Sequence, residues 1–208
     1  MTTFYFDVGS PYAYLAAERL DSVLSGSVRW QPVLLGGLFK LTGRSSWALG
    51  DYRRRQSGMA EIERRARAYG LPAFVWPDPW PTDYLAAMRV VTWAFAAGRG
   101  HEVAMQAFRD AFQRGRDLSL EAHVVGAAAE AGLDRDDARG AMRDPEIKAA
   151  LREATARAHA RGVFGVPTLE VDNPNLSSAP GGGASELFWG DDRLEDAAAY
   201  AGSVGRAA

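Results

Sequence analysis

The stretch FYFDVGSPYAYLAAERL, residues 4–20, changes its hydrophobic period within a few residues, and that change constrains the fold more than any other feature of the chain. Phe4 to Val8 have the texture of a strand, whereas Leu15, Ala16, Leu20 and Val23 recur at helical spacing. A helix is therefore expected from Pro11 to about Val23. Pro11 falls at its first position, where a missing N–H costs nothing, and Ser10 falls at the N-cap. Ser10 then has two readings. It only caps the helix, or it holds something at the positive end of it.

The rest of the chain narrows the chemistry. There are no cysteines among the 208 residues, which excludes disulfides, thiolate metal sites and a redox couple carried by the protein. A net charge of −2 leaves no electrostatic footprint for nucleic acid. Of the 24 basic residues only Lys40 and Lys148 are lysine, which fits a GC-rich coding bias. The start MTTFYFDVG has no basic segment followed by an apolar core, and the longest apolar run, near Val90 to Ala97, is too short for a membrane span. A cytoplasmic protein with no membrane partner is the expectation.

A second strand is expected in SVRWQPVLL, with Val28, Trp30 and Val33 on one side. Helical patterns follow until about Gly162. They include one helix across WALGDYRRRQSGMAEIERRARAYG that stops at Gly70, and another capped near Thr82 or Asp83 after the proline cluster WPDPWP. Extended structure returns at VPTLEVD (166–172) and ELFWG (186–190), joined by a Pro-, Gly- and Ser-rich connection across 173–185. A final helix opens with Asp191 and Asp192 in its first turn. The order βαβ, helical block, ββα describes an α/β fold: a thioredoxin-like four-stranded mixed sheet with an all-helical insertion domain. Residues 1–38 and 160–208 would form the thioredoxin-like domain and 39–159 the insertion.

Three segments in this layout, FDVGSPYAYLA, GVFGVPT and ELFWGDDRLE, together resemble the 2-hydroxychromene-2-carboxylate isomerases and kappa-class glutathione transferases of the DsbA-type thioredoxin superfamily. The resemblance spans nearly the whole chain. Redox members carry Cys-x-x-Cys where this chain has Ser10-Pro11-Tyr12-Ala13, so dithiol exchange is chemically impossible here. In the isomerase and kappa branches a serine at the Ser10 position hydrogen-bonds the sulfur of glutathione, which implies a catalytic role for Ser10. The same resemblance implies a cis bond at Val166–Pro167, with the Val166 backbone free to pair with a peptide-like thiol. By the family's Gly-[Ser/Asn]-Asp-Arg segment, Asp191 and Asp192 would lie near the γ-glutamyl end, and Asp192 would receive its ammonium. The family's Asn, proline pair and Lys are replaced by TGRSSWALGDYRRR, where Ser45 falls near the Asn position and Arg54 near the Lys position. The cofactor implied is glutathione or another low-molecular-weight thiol. An actinobacterial source would bring in mycothiol, and thiol-free chemistry remains an alternative.

The activity implied is isomerisation of an aromatic or conjugated unsaturated carboxylic acid, assisted by the thiol. Alternatives are kappa-type thiol transfer, a cofactor-free cis/trans double-bond isomerase, and a non-catalytic binding module. Tyr12, Trp47, Trp76 and Trp80 are candidates to wall an apolar substrate pocket over Ser10, although each could equally be core or lid. His101, His123 and His159 share no ligand spacing, so no metal site is expected. Arg53 and Arg55 read as a solvated helix face. The partner is a small-molecule substrate, and homodimer formation is left open.

Overall fold

In the computed structural model, which describes residues 1–173 and 185–207, the sheet has four strands: β1 (Thr2–Phe6), β2 (Val28–Pro32), β3 (Thr168–Asp172) and β4 (Ser185–Trp189). Their order is β2-β1-β3-β4. β1 runs parallel to β2, with Phe4 opposite Trp30, and antiparallel to β3, with Phe4 opposite Leu169; β4 pairs antiparallel to β3. This is the thioredoxin-like mixed sheet that the element order predicts. The 173–185 connection, apart from its two ends, lies outside the described residues.

Ser10 caps α1 (Pro11–Ala17), accepting a hydrogen bond on Oγ from the Ala13 N–H at 3.2 Å. The helix does not continue to Val23 as its periodicity suggests. It stops after Ala17, and α2 (Leu20–Val23) restarts one turn later. The two residues at the break are held elsewhere: Glu18 by Arg109 at 2.8 Å, and Arg19 by the Asp191 carbonyl at 3.0 Å and the Glu195 carboxylate. After β2 come α3 (Leu35–Thr42), a 3-10 turn (Trp47–Leu49) and α4 (Tyr52–Ala68). The expected single helix from Trp47 is thus divided, because Asp51 caps α4 by accepting from the Arg54 N–H. Gly70, at φ 69°, closes α4 as its sequence position suggests.

The helical block is completed by α5 (Leu85–Ala96), α6 (Gly100–Phe112), α7 (Glu121–Glu130), α8 (Arg135–Arg143) and α9 (Pro145–Ala160). A 3-10 turn (Asp191–Arg193) leads into α10 (Leu194–Ala207). Among the described residues no helix is long and apolar enough to cross a membrane.

β1 is buried on both faces. Phe4 and Phe6 point into one large core that continues through Tyr14, Phe108 and Phe112, while Tyr5 faces a smaller core with Val33, Leu38, Ala158 and Val163. Val33 therefore does not share a face with Val28 and Trp30, which pack on the large core. The alternation of a strand puts an odd-numbered residue on the opposite side. Phe108 is fully buried with its ring 5.8 Å from Phe6 and 6.4 Å from Tyr14, so it joins sheet, α1 and helical block. Phe108→Ala is expected to cost about 3–5 kcal/mol by denaturant titration, the range for a buried aromatic replaced by a cavity.

Candidate active site

The turn between β1 and α1 is built by Asp7. Its Oδ1 accepts from the Gly9 N–H at 2.8 Å, and the Asp7 carbonyl accepts from the Ser10 N–H at 3.0 Å. This Asx-turn presents Ser10 at the helix start. The second oxygen, Oδ2, accepts from the Leu35 N–H at 2.7 Å, which ties the turn to the beginning of α3. Asp7 is buried with no cationic partner among the described residues, and burial pushes its carboxyl up to about 6, against the pull of the two backbone N–H groups.

Ser10 and Asp7 lie on the wall of a cavity of about 740 Å³. Around it stand Tyr12, Trp47, Trp80, Phe164 and Trp189, and its lining is otherwise mostly apolar. Trp47 packs within 5.4 Å of Trp80 and 6.3 Å of Tyr12, centroid to centroid. Its position needs Gly58, since a Cβ there would come within 2.3 Å of the indole. Burial and the neighbouring Glu61 raise the Tyr12 hydroxyl to about 12, so it stays a neutral donor. The Val166–Pro167 bond is cis, as the resemblance implies; Asp78–Pro79 and Trp80–Pro81 are also cis, which no sequence signal gave.

At this cavity the Ser10 O–H, the Tyr12 N–H, the Val166 backbone N–H and C=O, the Trp80 indole N–H and the Tyr84 hydroxyl lack a protein partner among the described residues. Lys40 and Arg44 also line it and form no ion pair among the described residues; Arg44 lies 4.2 Å over the Phe164 ring. The arrangement can receive a flat apolar body, an anionic group and a peptide-like or sulfur-bearing segment.

The structure brings together Ser10, Tyr12, Trp47, Trp80 and Val166, all on the cavity wall. Pro167 lies behind, its carbonyl accepting from Gly190 N–H. Ser45 and Arg54 are exposed and stand outside the lining, whereas Ser46, Lys40 and Arg44 are within it. Trp76 stacks behind Trp80 at 4.4 Å and donates its indole N–H to Glu63. Asp191 is buried under α1, where Arg65 donates to it at 2.8 Å and the Tyr69 hydroxyl at 3.0 Å. Asp192 is exposed, 3.4 Å from Arg65. Sequence reasoning missed Asp7, Lys40 and Phe164. Only Asp7 had a usable signal, an Asp two residues before a Gly at a turn.

The profile of the DSBA-like thioredoxin domain matches residues 2–201. A 2-hydroxychromene-2-carboxylate isomerase of Sphingobium xenophagum is 27% identical, with 95% of each chain covered. The human glutathione S-transferase kappa 1 is 26% identical, over 92% of this chain and 86% of its own. Among solved structures, a 2-hydroxychromene-2-carboxylate isomerase superposes with a TM-score of 0.81 at 22% identity, covering 99% of this chain and 96% of its own.

Burial raises the Asp191 carboxyl, against the attraction of Arg65, so the two groups depend on each other. Arg65→Met should destabilise the fold by about 3 kcal/mol, because it strands a buried carboxylate with Tyr69 alone. Adding Asp191→Asn should recover most of that loss in a double-mutant cycle, whereas Asp192→Asn alone should stay within about 0.5 kcal/mol.

Proposed function

The chain belongs to the DSBA-like thioredoxin domain family, and on that premise we propose that it is an isomerase of an aromatic or conjugated unsaturated carboxylic acid, assisted by a low-molecular-weight thiol. The observation that carries this reading is the cavity itself. It combines aromatic walls, two unpaired cations and a free serine hydroxyl, in a protein with no cysteine.

The residues fit a peptide-like thiol such as glutathione at two points. The unpaired Val166 N–H and C=O offer strand-like pairing to its backbone, and the Ser10 O–H and Tyr12 N–H offer donors to its sulfur. α1 has only seven residues, so these local donors, rather than a long-helix dipole, must favour the thiolate. Asp192, exposed beside Arg65, would receive the ammonium at the far end of the cofactor. When bound, the thiol supplies a nucleophile that adds reversibly to an electrophilic carbon, which is why no protein nucleophile is needed.

The remaining residues act on the substrate. Lys40 and Arg44 anchor its carboxylate, and the indoles of Trp47 and Trp80 hold its ring and exclude water. Arg54, outside the lining, is left to the solvated face of α4. Kappa-type thiol transfer would use the same groups. Incubation with 2-hydroxychromene-2-carboxylate and glutathione separates the two: turnover without thiol consumption supports the isomerase, and stoichiometric consumption supports the transferase. No turnover with any conjugated acid, with or without thiol, would sink both.

Two variants test the assignments. Arg44→Ala should raise KM for the carboxylic acid about tenfold, since a charged hydrogen bond is worth ~1.5–3 kcal/mol, while Arg54→Ala should leave it within about twofold. Ser10→Ala should lose ~0.5–2 kcal/mol of stability as a cap. It should also lower kcat and raise the pKa of bound thiol; full activity would leave Ser10 a cap only.

A further inference from the structure

Asp7 does more than its turn requires. An Asx-turn needs one side-chain oxygen, and Asn or Ser would supply it without a buried charge. Here the second oxygen is also used, and it reaches a different element: Oδ1 takes Gly9 N–H at 2.8 Å and Oδ2 takes Leu35 N–H at 2.7 Å. Gly9 and Ser10 form one wall of the cavity, and Leu34, Leu35, Lys40 and Arg44 form the neighbouring one. Only a carboxylate can serve both donors, because the NH₂ of an asparagine would face one of the two N–H groups.

We propose that Asp7 is a positioning residue for the site: its ionised carboxylate fastens the Ser10 turn to the first turn of α3, and protonation releases that fastening. The groups facing it fit this role. The like charge of Asp83, on the approach to α5, disfavours ionisation of Asp7, and neutral Tyr84 packs its ring on Gly9, where a Cβ would come within 2.4 Å. Lys40, in the last turn of α3, and Arg44, just past its Gly43 C-cap, line the same cavity but form no ion pair with Asp7. With the Asp7 carboxyl pushed up to about 6 by burial, the folded protein binds this proton more tightly than the unfolded chain does. The ionised clamp is thus retained above that pH at the expense of stability. Such an expense is characteristic of a group kept for a site.

The decisive measurement needs no substrate. In the wild-type protein the Gly9 and Leu35 amide protons should titrate together in ¹H–¹⁵N spectra, with one midpoint near pH 6. Hydrogen exchange of α3, corrected for intrinsic rates, should be tenfold or more faster at pH 5 than at pH 7.5, with α6 unchanged. Asp7→Asn should show the fast α3 exchange at both pH values, and Asp7→Glu, which keeps two acceptors, should be intermediate. The activity arm rests on the isomerase reading: Asp7→Asn should remove the acid limb of kcat near pH 6 and lower kcat tenfold with KM within threefold. Flat Gly9 and Leu35 shifts between pH 5 and 7.5, or α3 protection equal in wild type and Asp7→Asn, would overturn the proposal. A wild type with no turnover would count against the isomerase alone, since the amide and exchange data decide Asp7 by themselves.

Discussion

The burial of β1 on both faces fixes the position of everything built on it. Phe4 and Phe6 are locked against Trp30 and the helical block, and Tyr5 against the opposite core, where its hydroxyl donates to Glu170 at 2.6 Å. Arg161 and Ser185 complete the satisfaction of that buried glutamate. A strand held this way cannot slide, because a one-residue slip would exchange its two faces. The turn at its end therefore sits at a fixed place. Through Asp7 and Ser10, the rigidity of the sheet becomes the geometry of the cavity.

The acidic groups near α1 divide into two kinds of work. Asp191 is spent on structure: through Arg65, Tyr69 and Arg19 it pins the 3-10 turn before α10 to the end of α4 and to the break between α1 and α2. Arg19 lies 3.7 Å over the Tyr69 ring, so the network is packed as well as charged. Asp7 carries no ion pair among the described residues and lies on the cavity wall. The cations follow the same division. Arg65 is committed to carboxylates, whereas Lys40 and Arg44 keep their charge for whatever enters. In a smaller polar cleft at the other end of α1 most charges are paired, Glu18 with Arg109, Arg99 with Glu102 and Glu130 with Arg116.

The fold was legible because its signals are local and repeated. Ser10-Pro11, Asp144-Pro145 and Gly162 mark element ends by rules that depend only on backbone donors and φ. The errors arose where tertiary bonds overrode period, as when Glu18 and Arg19 were drawn away and the first helix split. Of the residues on the cavity wall, Ser10 and Val166 could be named through the family resemblance of their segments, and Tyr12, Trp47 and Trp80 as aromatic candidates for an apolar pocket. Lys40 could not: it lies in the last turn of α3, and nothing in a sequence tells a basic side chain beside a cavity from one beside water. Trp76 shows the converse: its sequence neighbour Trp80 lines the cavity, and its own ring is used as backing.

The absence of cysteine gives the cavity its particular demands under the proposed reading. A protein dithiol needs only brief access for a partner's sulfur, and the covalent bond supplies most of the specificity. A thiol that arrives as a ligand must instead be bound, oriented and kept ionised by noncovalent groups alone. That requirement explains why Ser10 leaves its O–H unpaired, why Val166 leaves both backbone groups unpaired, and why the turn carrying Ser10 is tied down twice. It also explains the aromatic walls. A small conjugated acid offers little area, so Trp47, Trp80 and Phe164 must enclose most of it before two cations and a serine can select it.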